Sequence, residues 1–199
     1  MSKKKSEAQL HAEWSAKEFR YLAKAVPQVF CEKCDSLRIL YVGGNPDYIR
    51  NARELKEQFG HRLALLEIVP EWAKALKRMD VFDIVKTGDV RNVQRMRFTE
   101  PIDVVYWRHG PEHLPVEDVR PTLQKLERIA KYLVLIQIPS GPTPWVEPRP
   151  GYPSQTHRCV PEESLFWKLG YRVSFIPNGR GTNRGDGAQI IAWKWISLL

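Results

Sequence analysis

Between residues 38 and 138 the chain alternates short apolar runs with stretches of helical period, and that alternation admits few architectures. The runs cover 38–43, 62–67, 82–86, 102–107 and 132–138. Between them, Ile49, Ala52, Leu55 and Phe59 share one face of a predicted helix over 47–59, and Trp72, Ala75, Leu76 and Met79 one face of another over 71–79. A third helix is predicted over 121–131, with Leu123, Leu126, Ile129 and Ala130 turned inward, and residues 91–99 fill the remaining connection as a helix. Strands that are apolar throughout are buried on both faces. The pattern therefore predicts a parallel sheet with helices on either side.

The two ends of the chain differ from this middle. Residues 7–30 carry Leu10, Trp14, Phe19, Leu22 and Val26 at helical spacing, and Pro27 ends or bends the helix. The expected division is a helical extension over 1–35 and one α/β domain over 36–199. After a predicted helix over 161–169, closed by Gly170, the stretches 171–177 and 188–195 read as strands with no helix between them. Such a connection is a hairpin, so one strand of the sheet runs antiparallel. Residues 139–161 contain seven prolines and no periodicity, a length of connection that more often serves a site than merely spans a gap.

Composition narrows the function classes. A hydrophobic content of 43% supports a proper core, and no apolar run approaches the ~20 residues of a membrane span. The basic start, Met1 to Lys5, leads into a mixed-charge segment rather than an apolar one, so a cytoplasmic protein is expected. Three cysteines make no disulfide framework. Cys31-x-x-Cys34 stands alone, without the four ligands of a structural zinc, and is read as two reduced thiols; no metal is expected. Lys and Arg outnumber Asp and Glu by 31 to 23, a formal charge of +8. The positive residues are spread along the chain and no nucleic-acid reader motif accompanies them, so a nucleic-acid partner is possible on charge alone but unsupported by motif. Residues 179–187, rich in Gly and Arg, read as a hairpin tip.

Chemistry concentrates where the apolar runs end. Gly43 and Gly44 follow the first strand directly, and Asn45 and Pro46 form a helix-start pair. The dinucleotide pattern G-x-G-x-x-G is absent. Asp47 places a carboxylate in the first helical turn, where a pyrophosphate would be repelled and a ligand bearing ammonium or sulfonium charge welcomed. Glu67 closes the second strand, where a carboxylate can accept from a ribose diol, and Asp89 follows the third. Singly each acid is as readily a cap or a solvated charge. Their ordered recurrence at three strand ends points to one ligand.

At these residues the chain resembles the class I S-adenosylmethionine-dependent methyltransferases. The resemblance runs from about Leu37 to Leu199 and rests on Ile39-Leu-Tyr-Val-Gly-Gly-Asn-Pro46, Leu66-Glu67, Gly88-Asp89-Val90, Ile102-Asp-Val-Val-Tyr-Trp107, Gly110-Pro-Glu-His-Leu-Pro115 and Lys168-Leu-Gly-Tyr-Arg-Val173. It implies a Rossmann-like α/β fold with a seven-stranded mixed sheet of order 3-2-1-4-5-7-6, the last strand antiparallel. It also implies S-adenosyl-L-methionine as cofactor, held by Gly43, Gly44, Asn45, Asp47, Glu67, Asp89, Val90 and Arg108. The chain departs from the family where Tyr41 replaces an acid and where Asn45 and Asp47 replace glycines.

The acceptor side is expected beyond the fourth and fifth strands, since ligands of open parallel sheets bind at the carboxyl edge near the switch point. Arg108, His109, Glu112 and His113 leave the fourth strand there, with His109, Glu112 and His113 as candidate catalytic groups. A base is useful only for an acceptor that loses a proton near the transition state. The alternative is that Glu112 and His113 cap the following helix and Arg108 is a solvated charge. His157, with Tyr152 and Arg158, sits in the proline-rich connection and either covers the acceptor or lies on a plain surface loop. The expected activity is methyl transfer to a small-molecule or glycan-type acceptor. A nucleic-acid methyltransferase and a non-catalytic homologue that kept the fold are the alternatives.

Overall fold

The computed structural model describes residues 20–27, 29, 36–46, 49–141, 153–176 and 188–197. Cys31, Cys34, Asp47, Tyr152, the tip at 179–187 and most of the predicted 7–30 helix lie outside the described residues.

Seven strands form one sheet: β1 (Arg38–Val42), β2 (Arg62–Glu67), β3 (Ile84–Thr87), β4 (Ile102–Arg108), β5 (Ala130–Pro139), β6 (Arg172–Ile176) and β7 (Gln189–Trp195). Their order is β3-β2-β1-β4-β5-β7-β6, as expected. The first five run parallel, and β7 is antiparallel to both β5 and β6. The switch point falls between β1 and β4, so the glycines after β1 and the residues after β4 leave neighbouring strands at the same edge.

The helices are a short helical stretch at 20–25 (α1), α2 (Arg50–Glu57), α3 (Pro70–Arg78), α4 (Val116–Ile129) and α5 (Glu163–Lys168). Strand residues alternate between two cores. Ile39, Tyr41, Leu63, Leu65, Val104 and Tyr106 face α1, α2 and α3, whereas Leu40, Val42, Leu66, Val105 and Trp107 face α4 and α5. Fully buried leucines such as Leu40, Leu65 and Leu123 each contribute roughly 1.5–3 kcal/mol over their exposed state. The N-terminal segment joins the first core through Leu22, Val26 and Val29. It is tied down by buried His61, whose Nδ1 accepts from the Leu37 amide at 3.2 Å and whose Nε2 donates to the Val29 carbonyl at 2.6 Å. Burial holds this imidazole below its ordinary pKa, with the Val29 carbonyl pulling weakly the other way.

Two elements differ from expectation. The helix predicted over 121–131 begins five residues earlier, because Pro121 lies inside α4 rather than at its start. Pro121 still removes one internal hydrogen bond. Residues 130–131 are already strand. The predicted helix over 91–99 is a 3₁₀ turn over Val90–Arg95. Its two buried residues, Val90 and Val93, are three apart, the spacing a three-residue period keeps on one side.

Candidate functional site

A cleft opens at the carboxyl ends of β1 to β4. It is walled by Val42, Leu66, Trp107 and Leu114, with Gly43, Glu67, Asp89, Val90, His109 and His113 along its rim. Ser154, Gln155 and Arg158, from the connection after β5, close its outer side. Gly44, Asn45, Arg108 and Glu112 do not line the cleft.

The half of the cleft after β1 to β3 is built on backbone amides. Gly43 has φ +79°, a left-handed conformation that turns the chain sharply off β1. Gly44 is a glycine for a different reason: an added Cβ would stand 2.9 Å from Leu76 Cδ1 and 3.1 Å from Leu65 Cδ1. This turn aims the Gly44 amide at Glu67, which accepts it on Oε2 at 2.6 Å while Oε1 accepts the Val69 amide at 2.8 Å. Burial pushes the Glu67 carboxyl above its ordinary pKa, and the amides of Gly44, Val69 and Ile68 pull it part of the way back. Each oxygen keeps a second lone pair for a ligand hydroxyl. Beside it Ile68 is 42% exposed, an apolar surface at the mouth of the cleft.

Asp89 caps the 3₁₀ turn, accepting the Arg91 amide on Oδ1 at 2.9 Å. Its Oδ2 receives Arg91 Nε and Nη2 at 2.9 and 2.5 Å, while Nη1 reaches Asp118 on α4 at 3.0 Å. Burial opposes the Asp89 charge, but the Arg91 side chain and amide outweigh it and hold the carboxyl below its usual range. The cluster fixes the carboxylate's orientation. The sequence reading missed Arg91, because the segment was taken as a helix rather than as a turn capped by Asp89.

The half after β4 is built on side chains. His109 leaves β4 with φ +49°, a strained region for a residue bearing Cβ, and its amide donates to the Gln137 carbonyl at 2.8 Å. Gly110 follows; a Cβ there would stand 1.7 Å from the Trp107 indole nitrogen. A one-way chain of hydrogen bonds then fixes the His109 ring. Tyr106 Oη donates to Gln137 Oε1, Gln137 Nε2 donates to Gln189 Oε1, and Gln189 Nε2 meets His109 Nε2 at 3.2 Å. The proton of His109 is thereby left on Nδ1, which lies 3.4 Å from Glu112 Oε1. Gln137 and Gln189 were also missed, although Gln137 stands out as the one polar side chain in the apolar run 132–138.

Glu112 sits beneath this wall in a 3₁₀ turn over Pro111–His113 and is 2% exposed. The 3.4 Å approach of His109 is within ion-pair range but outside hydrogen-bond geometry. Among the described residues neither carboxylate oxygen of Glu112 has a hydrogen-bond partner. The Glu112 carbonyl accepts the amides of Arg158 and Cys159 at 2.7 and 3.2 Å, which brings the far end of the proline-rich connection down onto the turn. His157 thus meets His113 edge to face, ring centres 4.8 Å apart. Burial holds His157 below the ordinary imidazole value; the Glu112 charge works against that shift.

No protein-family model matches the chain, and no curated protein matches it in sequence. Solved structures do match it in shape. Magnesium protoporphyrin IX methyltransferase (ChlM) from Synechocystis PCC 6803, crystallised with SAH, superposes with a TM-score of 0.60 at 13% identity, over 99% of this chain and 90% of its own. The DszA carbon methyltransferase gives 0.61 at 15% identity, over 96% of this chain and 55% of its own. The methyltransferase domain of bacterial CtHen1 gives 0.59 at 12%, over 90% and 97%. No helix among the described residues is long and apolar enough to cross a membrane. With its strand order, its antiparallel β7 and these neighbours, the chain has the class I methyltransferase fold.

Proposed function

We propose that this chain is an S-adenosyl-L-methionine-dependent methyltransferase acting on a small-molecule or glycan-type acceptor. The observation that carries the reading is the convergence of Gly43, Glu67 and Asp89 on one cleft at the switch point of this fold. When bound, the donor supplies a methyl group on a cationic sulfur that a nucleophile displaces in line. The residues present suit it. Glu67 offers a lone pair on each oxygen to a diol, Ile68 offers an apolar face to a ring, and Asp89, held by Arg91, offers an acceptor of fixed direction.

Across the cleft, His109 and His113 face the acceptor side, and Ser154, Gln155 and Arg158 give it a polar outer wall. That polarity supports an acceptor rich in hydroxyl groups over an apolar one. In-line displacement depends first on alignment, which a wall of hydrogen-bonded side chains can hold. Isothermal titration calorimetry with S-adenosylmethionine and S-adenosylhomocysteine tests the reading. Saturable binding of both is expected, and no binding of either at millimolar concentration refutes it.

A further inference from the structure

We propose that Glu112, His113 and His157 bind a divalent transition-metal ion, Zn²⁺ suiting the donor set best, beneath the acceptor wall of the cleft. One ligand atom from each residue lies within 4.8 Å of the other two. Ligands about 2.0–2.2 Å from a shared ion stand roughly 3.3–3.6 Å apart, so rotations on the order of an ångström close the set.

Three further observations point to an ion. Glu112 is buried with both carboxylate oxygens lacking a hydrogen-bond partner among the described residues, a costly state that a cation relieves. His109, at 3.4 Å from Oε1, and His113 are the charges that answer Glu112: against burial they hold its carboxyl below the ordinary range, as an anion ready to ligate. His113 is already oriented as metal-ligating histidines are: its Nδ1 donates to the Thr156 carbonyl at 3.2 Å, leaving the lone pair on Nε2. The backbone holds the set together, because the amides of Arg158 and Cys159 close on the Glu112 carbonyl immediately after His157.

Two imidazoles and one carboxylate favour Zn²⁺ or a similar ion over Mg²⁺ or Ca²⁺, which prefer all-oxygen shells. Three protein ligands leave positions open, the pattern of a catalytic rather than a structural ion. The consequence for the substrate rests on the methyltransferase reading. An acceptor hydroxyl bound to the ion loses its proton to solvent more readily. Its oxygen lone pair then forms the O–CH₃ bond as the donor's S–CH₃ bond breaks, releasing S-adenosylhomocysteine. The acceptor atom is thereby an oxygen, within a diol, catechol or similar chelating group.

The test uses the full chain without a histidine tag, stripped with EDTA and titrated calorimetrically with ZnCl₂, MnCl₂ and MgCl₂. One Zn²⁺ per chain at micromolar affinity or better is expected, with Mg²⁺ at least a hundredfold weaker. Glu112→Gln and His157→Ala should each weaken Zn²⁺ by about a hundredfold or more, and the double change Cys31→Ser, Cys34→Ser should leave it unaltered. Absence of stoichiometric Zn²⁺, Zn²⁺ that follows the cysteine pair or ignores both site variants, or Mg²⁺ bound as tightly as Zn²⁺ would each overturn the proposal. S-adenosylhomocysteine titrated into the same variants reads the donor site separately. Intact donor binding without Zn²⁺ sinks the metal site alone, and Zn²⁺ without donor binding sinks the methyltransferase reading alone.

Discussion

Glu67 and Glu112 are both 2% exposed, both at the carboxyl edge of one sheet, and surrounded in opposite ways. Glu67 is met by the amides of Gly44 and Val69, groups that cannot leave because the fold places them. Glu112 is met by imidazoles, with no hydrogen bond to either oxygen among the described residues. A carboxylate satisfied by backbone amides is part of the scaffold, and its spare lone pairs present a fixed shape to a ligand. A buried carboxylate met by imidazoles has its charge held by groups that can also bind a metal. One half of the cleft is finished by the chain itself; the other is the half in which the proposed ion would sit.

The largest expected effect breaks the finished half. Glu67→Ala removes two hydrogen bonds to an ionised acceptor and leaves the Gly44 and Val69 amides facing a void, an effect of roughly 1.5–3 kcal/mol on anything Glu67 holds. Donor affinity should fall about tenfold to a hundredfold. Calorimetry with S-adenosylhomocysteine on the folded variant checks it, and unchanged affinity would mean that Glu67 serves the turn alone.

An isosteric pair sharpens the contrast. Glu67→Gln turns an amide nitrogen toward a backbone N–H and should lower the unfolding free energy by roughly 1–3 kcal/mol. Glu112→Gln in the EDTA-treated chain breaks no hydrogen bond and should change it by less than about 1 kcal/mol. Added Zn²⁺ should raise the melting temperature of wild type but not of Glu112→Gln. At a hundredfold excess over its dissociation constant the gain is about 2.7 kcal/mol. Urea unfolding and thermal melts read both arms, and equal losses in the two variants would erase the distinction.

The smallest effect concerns a third buried titratable group, His61, which resembles Glu67 in having both polar atoms engaged by backbone. Its folded pKa is lowered, so the unfolded chain binds a proton first as the pH falls. Stability on this account is full above the unfolded value of about 6.5 and declines as the pH drops through it. Urea midpoints at pH 7.5 and 5.5 should differ less in His61→Gln than in wild type. A difference as large in the variant would remove His61 as the source.

The arrangement after β1 to β3 was legible in the sequence because each of its features is local. Gly43 follows its strand directly, and Glu67 and Asp89 each end an apolar run, so periodicity alone brings them to one edge. The alternation of strands and helices likewise carried the parallel sheet and its final hairpin, while the strand order came with the family resemblance. After β4 the sequence brought His109, His113 and the proline-rich connection to one edge but not their contacts, which depend on distances that topology creates. His113 and His157 are 44 residues apart in sequence and meet only because Arg158 and Cys159 close on the Glu112 carbonyl. Gln137 and Gln189 likewise meet only through the antiparallel pairing of β5 with β7. Pro121 misled for a related reason: a proline is an ordinary first residue of a helix, and the packing of Val119 and Leu123 extends α4 through it nonetheless.

The backbone at His109 also limits how this lineage can drift. A left-handed φ of +49° is tolerated by glycine, less readily by Asn, Asp or His, and hardly at all by Val, Ile or Thr. The neighbouring position admits no Cβ against the Trp107 indole. Residues 109 and 110 therefore form a two-letter word with very few synonyms, set on the rim of the cleft. Descendants have more room to vary at Ser154, Gln155 and Arg158, on the segment that closes onto the Pro111–His113 turn, and a library randomised at both places should keep its folded members diverse at those three positions alone.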